Sequence, residues 1–181
     1  MDKQRLRDLI RAQEGVSAEV SDAVVDGLFH WMSPRLPGTV SAFLAMEGEV
    51  DLRALFDRLP GWRWVLPRVE PDRSMTFRDR DVGREVHRFG MEQPADEGPV
   101  IPVPEIDLFL TPGLAFDMSG GRLGNGAGFY DRILAGRRTD SVAIGVTISG
   151  RVLDGVPMEA HDRRVDWVAT EDGVRECSPR R

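Results

Sequence analysis

The second half of the chain reads IDLFLTPG (106–113), LAFDMSGGRLGNGAG (114–128), FYDRILAG (129–136) and SVAIGVTI (141–148). The first and last of these runs are apolar and predict strands, and the last is so nearly continuous in apolar residues that both of its faces should be covered. The middle runs predict a loop over 113–128 followed by a helix. Strands that alternate with helices in this way are typical of an α/β fold.

The rest of the chain continues this alternation. The other predicted helices cover 2–14, about 18–33 and about 52–58, and the other predicted strands cover 39–46, 62–69, about 75–79 and 165–170. We expect Ser17 and Asp51 to be N-caps and 89–105 to be irregular. The pattern favours an α/β fold with three αβα layers around a mostly parallel, Rossmann-like sheet. The length of 181 residues suits one domain over 1–181, with about 172–181 as a frayed tail.

Composition and charge limit the kinds of molecule that the protein is expected to bind. The chain carries 24 basic and 30 acidic residues, a net charge of −6, which argues against a nucleic-acid-binding surface. No apolar stretch approaches the roughly 20 residues of a membrane helix, and the charged N-terminal segment lacks the apolar core of a signal peptide. The one cysteine, Cys177, forms no internal disulfide, which suits a reducing cytosol. We therefore expect a cytoplasmic protein with small-molecule partners, no nucleic acid and no membrane.

The sequence excludes a P-loop and does not predict a zinc site. Lys3 is the only lysine, so a P-loop, whose lysine follows a glycine-rich turn, is excluded. The three histidines have no metal-ligand spacing with one another or with the cysteine, so no zinc site is predicted.

The loop after the first buried strand has the features of an anion site. Gly124, Gly126 and Gly128 alternate, which lets the backbone approach a ligand closely and turn its N–H groups toward an anion. The helix that begins at this point adds its positive end, and Arg122 can fork onto phosphate oxygens. Asp131, in the first helical turn, is placed to hold Mg²⁺. A plain glycine-rich turn with a capping aspartate is the alternative, and the flanking charged residues favour the anion site.

The segment PGLAFDMSGGRLGNGAGFYDRIL (112–134) resembles the signature of the 5-formyltetrahydrofolate cyclo-ligases, also called methenyltetrahydrofolate synthetases. That signature is Pro-x-x-x-Phe-Asp followed by Arg-Leu-Gly-x-Gly-x-Gly-[Tyr/Phe]-Tyr-Asp, and every fixed position is met. Further resemblances follow in order along nearly the whole chain: Lys3 with Arg7, VSAFLAM (40–46), Gly48–Asp51, Leu66–Arg68, Met75 with Phe77, Gln93 with Pro94, His161–Asp166 and Thr170 with Glu171.

The resemblance implies an ATP- and Mg²⁺-dependent cyclisation of 5-formyltetrahydrofolate to 5,10-methenyltetrahydrofolate, with release of ADP and phosphate. In the family's chemistry the formyl oxygen attacks the γ-phosphate of ATP, N10 of the folate attacks the activated carbon, and phosphate leaves. The protein would then be a ligase that forms a carbon–nitrogen ring, with Mg²⁺ as cofactor and ATP as co-substrate. We expect a monomer or a weak homodimer.

The resemblance also implies roles for particular residues. ATP contacts fall on Lys3, Arg7, Arg122, Leu123, Gly124, Asn125, Gly126, Ala127, Gly128, Phe129 and Tyr130. Folate contacts fall on Leu44, Met46, Glu49, Asn125 and Phe129, and Mg²⁺ contacts fall on Asp131 and Asp162. Arg122 and Tyr130 are the catalytic candidates, and the Tyr130 hydroxyl would orient the formyl group or a phosphate.

Several of these residues also have a purely structural interpretation. Surface or turn-capping roles are the alternative for Lys3, Arg7, Glu49 and Asp162, and packing roles are the alternative for Leu44, Met46 and Tyr130. Ala127 stands where the family often has glycine or lysine. A lysine there adds a phosphate contact that alanine cannot make, so we expect weaker ATP affinity in this chain.

Two rival functions are distinguishable from the cyclo-ligase. A non-catalytic folate- or nucleotide-binding paralogue would keep the fold without the reaction, and the presence of the candidate catalytic residues favours the enzyme. A sugar-phosphate isomerase on a related α/β fold would need an acid–base pair near the phosphate loop, and the sequence offers no comparable motif.

Overall fold

A large β-sheet forms the centre of the structure, a computed structural model that describes residues 2–13, 15–87 and 90–178. The helices are α1 (Lys3–Arg11), α2 (Ala18–Met32), α3 (Arg53–Arg58) and α4 (Phe129–Ala135). The strands are β1 (Thr39–Ser41), β2 (Arg63–Val69), β3 (Met75–Asp79), β4 (Arg84–Val86), β5 (Glu92–Pro94), β6 (Leu108–Pro112), β7 (Ala115–Asp117), β8 (Arg122–Leu123), β9 (Val142–Val146), β10 (Val152–Leu153), β11 (Trp167–Thr170) and β12 (Gly173–Glu176). Short 3₁₀ turns cover Val103–Glu105 and Ser149–Arg151.

The large sheet is mostly parallel, as the sequence predicts. Its strand order is β12-β11-β9-β6-β1-β2-β3. The inner strands β11, β9, β6, β1 and β2 pair in parallel, and β3 and β12 pair antiparallel at the two edges. Two smaller sheets accompany it, one with the order β10-β7-β8 and one formed by β4 and β5.

Both faces of the large sheet are covered, which explains the continuous apolar runs in its inner strands. In β6, Leu108 and Leu110 belong to the core cluster shared with α2 and α3, whereas Phe109 belongs to the cluster shared with α4. The same alternation occurs in β9, where Ile144 faces the first cluster and Ala143 faces the second. The predicted α/β fold with helices on both sides of the sheet is therefore confirmed.

The segment predicted as a loop over 113–128 contains two short strands, so that expectation is wrong in part. Strands β7 and β8 pair antiparallel, and β7 also pairs with the distant β10. Phe116 of β7 packs against Gly145 of β9, where an added Cβ would lie only 2.3 Å from the ring. The pairing with β10 and the contact with Gly145 join residues far apart in the sequence, so the glycine-rich composition of the segment did not indicate them.

Three other expectations also differ from the structure. The segment predicted to be irregular contains β5, which pairs with β4, and the expected frayed tail contains β12, which pairs with β11. The strand predicted over 39–46 is limited to β1, and the Ala42 N–H after it still donates to the Val65 carbonyl of β2 at 3.0 Å. The predicted first helix, irregular segment and tail include residues 14, 89 and 179–181, which lie outside the described residues.

The predicted helix caps lie where the helices begin. The Ser17 hydroxyl accepts a hydrogen bond from the backbone N–H of Val20 at 3.3 Å. Leu52 is the N-cap residue of α3, one position later than expected. The Asp51 carboxylate nevertheless accepts a hydrogen bond from the N–H of Arg53 at 3.0 Å, so it satisfies a donor of the first turn. No described helix is both long and apolar enough to cross a bilayer.

Asp117 fixes the backbone that precedes the glycine-rich loop. Its buried carboxylate accepts hydrogen bonds from the Ser119 N–H at 2.8 Å, the Ser119 hydroxyl at 2.6 Å, the Gly121 N–H at 3.0 Å and the Val156 N–H at 2.7 Å. Burial alone would raise the pKa of Asp117, but these donors outweigh it and hold the pKa below its ordinary value. The ionised form is therefore the one that stabilises this part of the fold.

We expect Asp117→Asn to lower the free energy of unfolding at pH 7 by roughly 2–3 kcal/mol, because an amide cannot accept the same set of donors. A carboxyl whose folded-state pKa is lowered stabilises the fold above about pH 4 and loses that contribution as the pH falls through the folded-state pKa. Urea denaturation should show that the free energies of unfolding of the wild type and Asp117→Asn differ less at pH 3 than at pH 7. Asp57→Asn, at an exposed position of α3, is the matched control. An equal difference at both pH values would contradict this account.

Candidate active site

A cavity of about 880 Å³ opens beside the carboxyl ends of β1, β2 and β6. Phe43 and Leu44 follow β1, Val69 ends β2, Pro112 ends β6 and Gly113 follows it, and all five residues line the cavity. Ligands of open α/β sheets bind at this edge of the parallel strands. The sheet therefore places the cavity where a ligand site is expected.

Every residue predicted for the site lines this one cavity. From the N-terminal half these are Lys3, Arg7, Leu44, Met46 and Glu49, and from the C-terminal half they are Arg122, Leu123, Gly124, Asn125, Gly126, Ala127, Gly128, Phe129, Tyr130, Asp131 and Asp162. The residues of the two halves are far apart in the sequence, and the fold brings them to one cavity.

The glycine-rich loop needs glycine for two different reasons. Gly126 and Gly128 have φ values of 106° and 67°, in the left-handed region that residues with a Cβ rarely adopt. Gly124 lies against Arg122, and an added Cβ would come within 2.7 Å of a guanidinium nitrogen. Ala127, between the two left-handed glycines, is exposed. The loop is thus a tight backbone structure with few side chains of its own.

Arg122 and Asp131 form a buried ion pair beside this loop. The Arg122 Nη2 donates to Asp131 Oδ2 at 2.9 Å, and the Arg122 side chain is only 5% exposed. Asp131 Oδ1 also accepts a hydrogen bond from the N–H of Arg163 at 3.1 Å. The guanidinium carbon of Arg122 lies 5.7 Å from the centre of the Tyr130 ring. Asp131 therefore orients the arginine that borders the loop.

Helix α1 reaches the cavity with two basic side chains and braces the loop with a third. Arg7 Nε donates to the Gly124 carbonyl at 2.9 Å, and Arg11 Nη2 donates to Asn125 Oδ1 at 3.1 Å. Leu6 and Ile10 of the same helix pack in a core cluster with β7 and β8. The helix is therefore fixed to the loop by both apolar and polar contacts.

Lys3, the only lysine, lies between two carboxylates of the cavity wall. Its Nζ is 2.6 Å from Asp162 Oδ2 and 3.0 Å from Glu159 Oε1. Burial alone would lower the pKa of Lys3, but these carboxylates outweigh it and raise the pKa above its ordinary value. Burial would likewise raise the pKa of Asp162, and the hydrogen bond from Lys3 helps to lower it. Both groups therefore carry their charges at neutral pH.

Glu49 is at the end of a tight turn on another wall of the cavity. Its Oε2 accepts a hydrogen bond from the Met46 N–H at 3.0 Å, and its own N–H donates to the Met46 carbonyl at 3.0 Å. Burial raises the pKa of Glu49, while the Met46 N–H and the charge of Arg151 oppose that rise. Leu44 is half-buried against the main core, and Met46 is exposed. Both Leu44 and Met46 line the cavity.

Tyr130 is a hydrogen-bond donor over the whole physiological pH range. Burial raises the pKa of its phenol far above the ordinary value, the negative charge of Glu49 adds to the rise, and Arg122 opposes it. A phenol in this environment stays protonated. Its O–H can therefore donate to an oxygen of a ligand.

Asp131 and Asp162 offer carboxylate oxygens to the cavity, as the predicted Mg²⁺ site requires. Among the described residues, no group of three or more histidine, cysteine, aspartate or glutamate side chains has the arrangement of a metal centre. Mg²⁺ bound to phosphates commonly takes only one or two carboxylates and keeps several waters. The two aspartates fit that coordination, although each is also paired with a cation in this structure.

The cavity also contains residues that the sequence did not single out. They include Val69, Met91, Glu92, Pro157 and Glu159. Arg11, behind the loop, follows Lys3 and Arg7 at four-residue spacing on α1, and this spacing was a signal that could have been used. Met91 and Glu92 had no such signal, because their position depends on the pairing of β4 with β5.

Comparisons with known proteins give the family. The model of the 5-formyltetrahydrofolate cyclo-ligase family matches residues 2–171. The 5-formyltetrahydrofolate cyclo-ligase of Mycolicibacterium smegmatis is 32% identical over 180 residues, which cover 93% of each chain. The protein of the same name from Escherichia coli K12 is 32% identical over 146 residues, which cover 76% of this chain and 80% of its own.

Two solved structures are similar throughout. The NMR structure of Aquifex aeolicus 5,10-methenyltetrahydrofolate synthetase superposes with a TM-score of 0.84 at 30% identity and covers 100% of this chain and 95% of its own. The 5,10-methenyltetrahydrofolate synthetase of Mycoplasma pneumoniae gives a TM-score of 0.78 at 23% identity over 94% of this chain and 99% of its own, a likeness of fold. On its sequence and its fold together, the chain belongs to the 5-formyltetrahydrofolate cyclo-ligase family.

Proposed function

We propose that this protein converts 5-formyltetrahydrofolate to 5,10-methenyltetrahydrofolate with the hydrolysis of ATP to ADP and phosphate. The observation that supports this most is the convergence of three elements on one cavity: the glycine-rich loop, the basic face of α1 and the turn that carries Glu49. The names of the relatives at 30% identity and above support the folate substrate and product of this reaction.

The triphosphate is proposed to lie against the loop over 124–128. Backbone N–H groups of a glycine-rich turn bind phosphate oxygens, and Lys3, Arg7 and Arg122 add positive charge around them. Asp131 and Asp162 would hold Mg²⁺, which supplies charge neutralisation at the phosphates. The short helix α4 adds only a small dipole, so the side-chain cations carry most of the electrostatic attraction.

The pterin is proposed to lie between Glu49 and the apolar side chains of the cavity. A carboxylate can accept hydrogen bonds from the amino group and the ring N–H of a pterin. Leu44, Met46 and Phe129 offer apolar surface to a flat ring, and Asn125 lies at the border of the two ligands. This arrangement supports a substrate that joins a flat polar-edged ring to a group near the phosphates.

The reaction depends mainly on placement and charge. The formyl oxygen attacks the γ-phosphorus, the bond to the β-phosphate oxygen breaks, and ADP leaves. N10 then attacks the formyl carbon, the bond from carbon to the phosphorylated oxygen breaks, and N10 loses its proton. A formyl oxygen is a weak nucleophile, so the protein must hold it close to an in-line γ-phosphate. Arg122 stabilises the charge on the transferred group, and the Tyr130 hydroxyl orients the formyl oxygen or a phosphate oxygen.

We expect purified protein mixed with 5-formyltetrahydrofolate and Mg-ATP to form the methenyl product. The absorbance of that product measures the reaction. Omission of ATP or of Mg²⁺ should abolish the signal, because phosphate transfer activates the formyl oxygen. Absence of any ATP-dependent product at micromolar protein would overturn the proposal. Binding of folate or nucleotide without turnover would then identify a non-catalytic relative.

Arg122→Lys is expected to raise the KM for ATP by roughly tenfold or more, because an ammonium cannot fork between Asp131 and a phosphate as a guanidinium does. Lysine is preferred to alanine here, since alanine would leave the half-buried Asp131 carboxylate without the positive charge that it pairs with. Steady-state kinetics should be compared with Arg63→Lys, a variant at a position outside the cavity. Unchanged KM and kcat would remove Arg122 from the site.

Ala127→Lys is expected to lower the KM for ATP by about threefold to tenfold, because it adds a cation to an exposed position of the phosphate loop. Added salt should reduce this gain, since the interaction is electrostatic. Ala135→Lys, at an exposed position of α4, adds the same charge outside the cavity. An equal effect of both substitutions would show that position 127 does not face the phosphates.

A further inference from the structure

The turn that carries Glu49 is held by an arginine that does not itself line the cavity. Arg151 ends the 3₁₀ turn after β9, and only 6% of its surface is exposed. Its Nη1 donates a hydrogen bond to the Gly48 carbonyl at 2.6 Å. Glu49 follows directly in the chain and lines the cavity. A contact between positions 103 residues apart in sequence thus fixes the backbone on which the cavity carboxylate depends.

The Arg151 guanidinium and the Glu49 carboxylate also interact through their charges. Burial raises the pKa of Glu49 and the charge of Arg151 opposes that rise. Burial lowers the pKa of Arg151 and the charge of Glu49 opposes that fall. Each group therefore stabilises the charged form of the other in a place that water solvates poorly.

Two further groups of the described chain interact with Glu49. The Met46 N–H faces it from its own turn at 3.0 Å, and the Tyr130 phenol faces it from α4. The Arg122 guanidinium of β8 lies 5.7 Å from the centre of the Tyr130 ring. Tyr130 is uncharged at physiological pH, so Arg151 is the cation that acts on Glu49 directly.

The charge state of Glu49 matters for recognition of a pterin. The amino group and the neighbouring ring N–H of a pterin are both donors, and an ionised carboxylate can accept from both at once. A protonated carboxyl has one oxygen occupied by hydrogen and presents a donor toward a donor. Folate affinity at this wall should therefore fall as Glu49 becomes protonated.

We propose that Arg151 is a positioning residue of the folate subsite, which fixes the turn through the Gly48 carbonyl and so places a positive charge near the adjacent residue Glu49. The proposal rests on the folate side of the function proposed above. Arg151 acts through Glu49 and contacts no substrate.

The direct test is the titration of Glu49 by carbon-13 NMR in protein labelled at the glutamate side-chain carboxyls, with Glu49→Gln used to assign the signal. Removal of a neighbouring positive charge favours the neutral acid, so Glu49 should titrate at higher pH in Arg151→Gln than in the wild type. Arg151→Met, which keeps the apolar stem, is a second neutral variant should the glutamine variant fold poorly. Arg151→Lys should restore most of the wild-type titration, and Arg63→Gln should leave it unchanged.

The kinetic test uses the KM for 5-formyltetrahydrofolate at pH 6 and pH 8. At pH 6 the neutral variants should show a KM about tenfold above that of the wild type, and the difference should shrink as the pH is raised, because higher pH favours the ionised form of Glu49 in all of them. The KM for ATP should not differ between them. A Glu49 titration that is the same in the wild type and both neutral variants would overturn the proposal. The titration needs no turnover, so an inactive protein would overturn the proposed function without affecting this result.

Discussion

The buried carboxylate of Asp117 holds together the side of the cavity on which the phosphates are proposed to bind. It collects donors from the turn over 117–121 and from Val156, so that two segments far apart in sequence share one acceptor. Strand β8 and Arg122 follow directly from that turn. The position of the glycine-rich loop therefore depends on an ionised group that water does not reach. A neutral side chain of the same shape could not satisfy the same donors.

Two of the cations that line the cavity are already paired with carboxylates. Lys3 lies between Glu159 and Asp162, and Arg122 is paired with Asp131. Pairing keeps long basic side chains ordered in a partly buried site, which reduces the entropy that a ligand must overcome to immobilise them. The same aspartates are the ones proposed for Mg²⁺. A nucleotide with its metal ion would therefore exchange contacts within a network that is already assembled.

The parts of the fold that could be predicted from sequence are those that depend on local pattern. The apolar runs at 106–113 and 141–148 indicated strands covered on both faces, and α2 begins after the predicted cap Ser17. The strands that were missed, β4, β5, β7, β8 and β10, are two or three residues long, and each is stabilised by pairing with another short strand. So short a strand has no periodicity of its own. The edge strand β12, only four residues long, was mistaken for a frayed tail, since its stability depends on pairing with β11.

The sequence by itself determined the α/β class, the glycine-rich loop and the residue types of the site, because each follows from short stretches of contiguous residues. The tertiary structure alone decided which of those residues share a cavity and which charges act on one another. Lys3 and Asp162 are 159 positions apart, and Arg151 is 103 positions from Gly48, yet each pair is in hydrogen-bond contact. Such contacts follow from the packing of helices and strands around the sheet, and electrostatic effects depend on distance and burial, neither of which a linear spacing can supply.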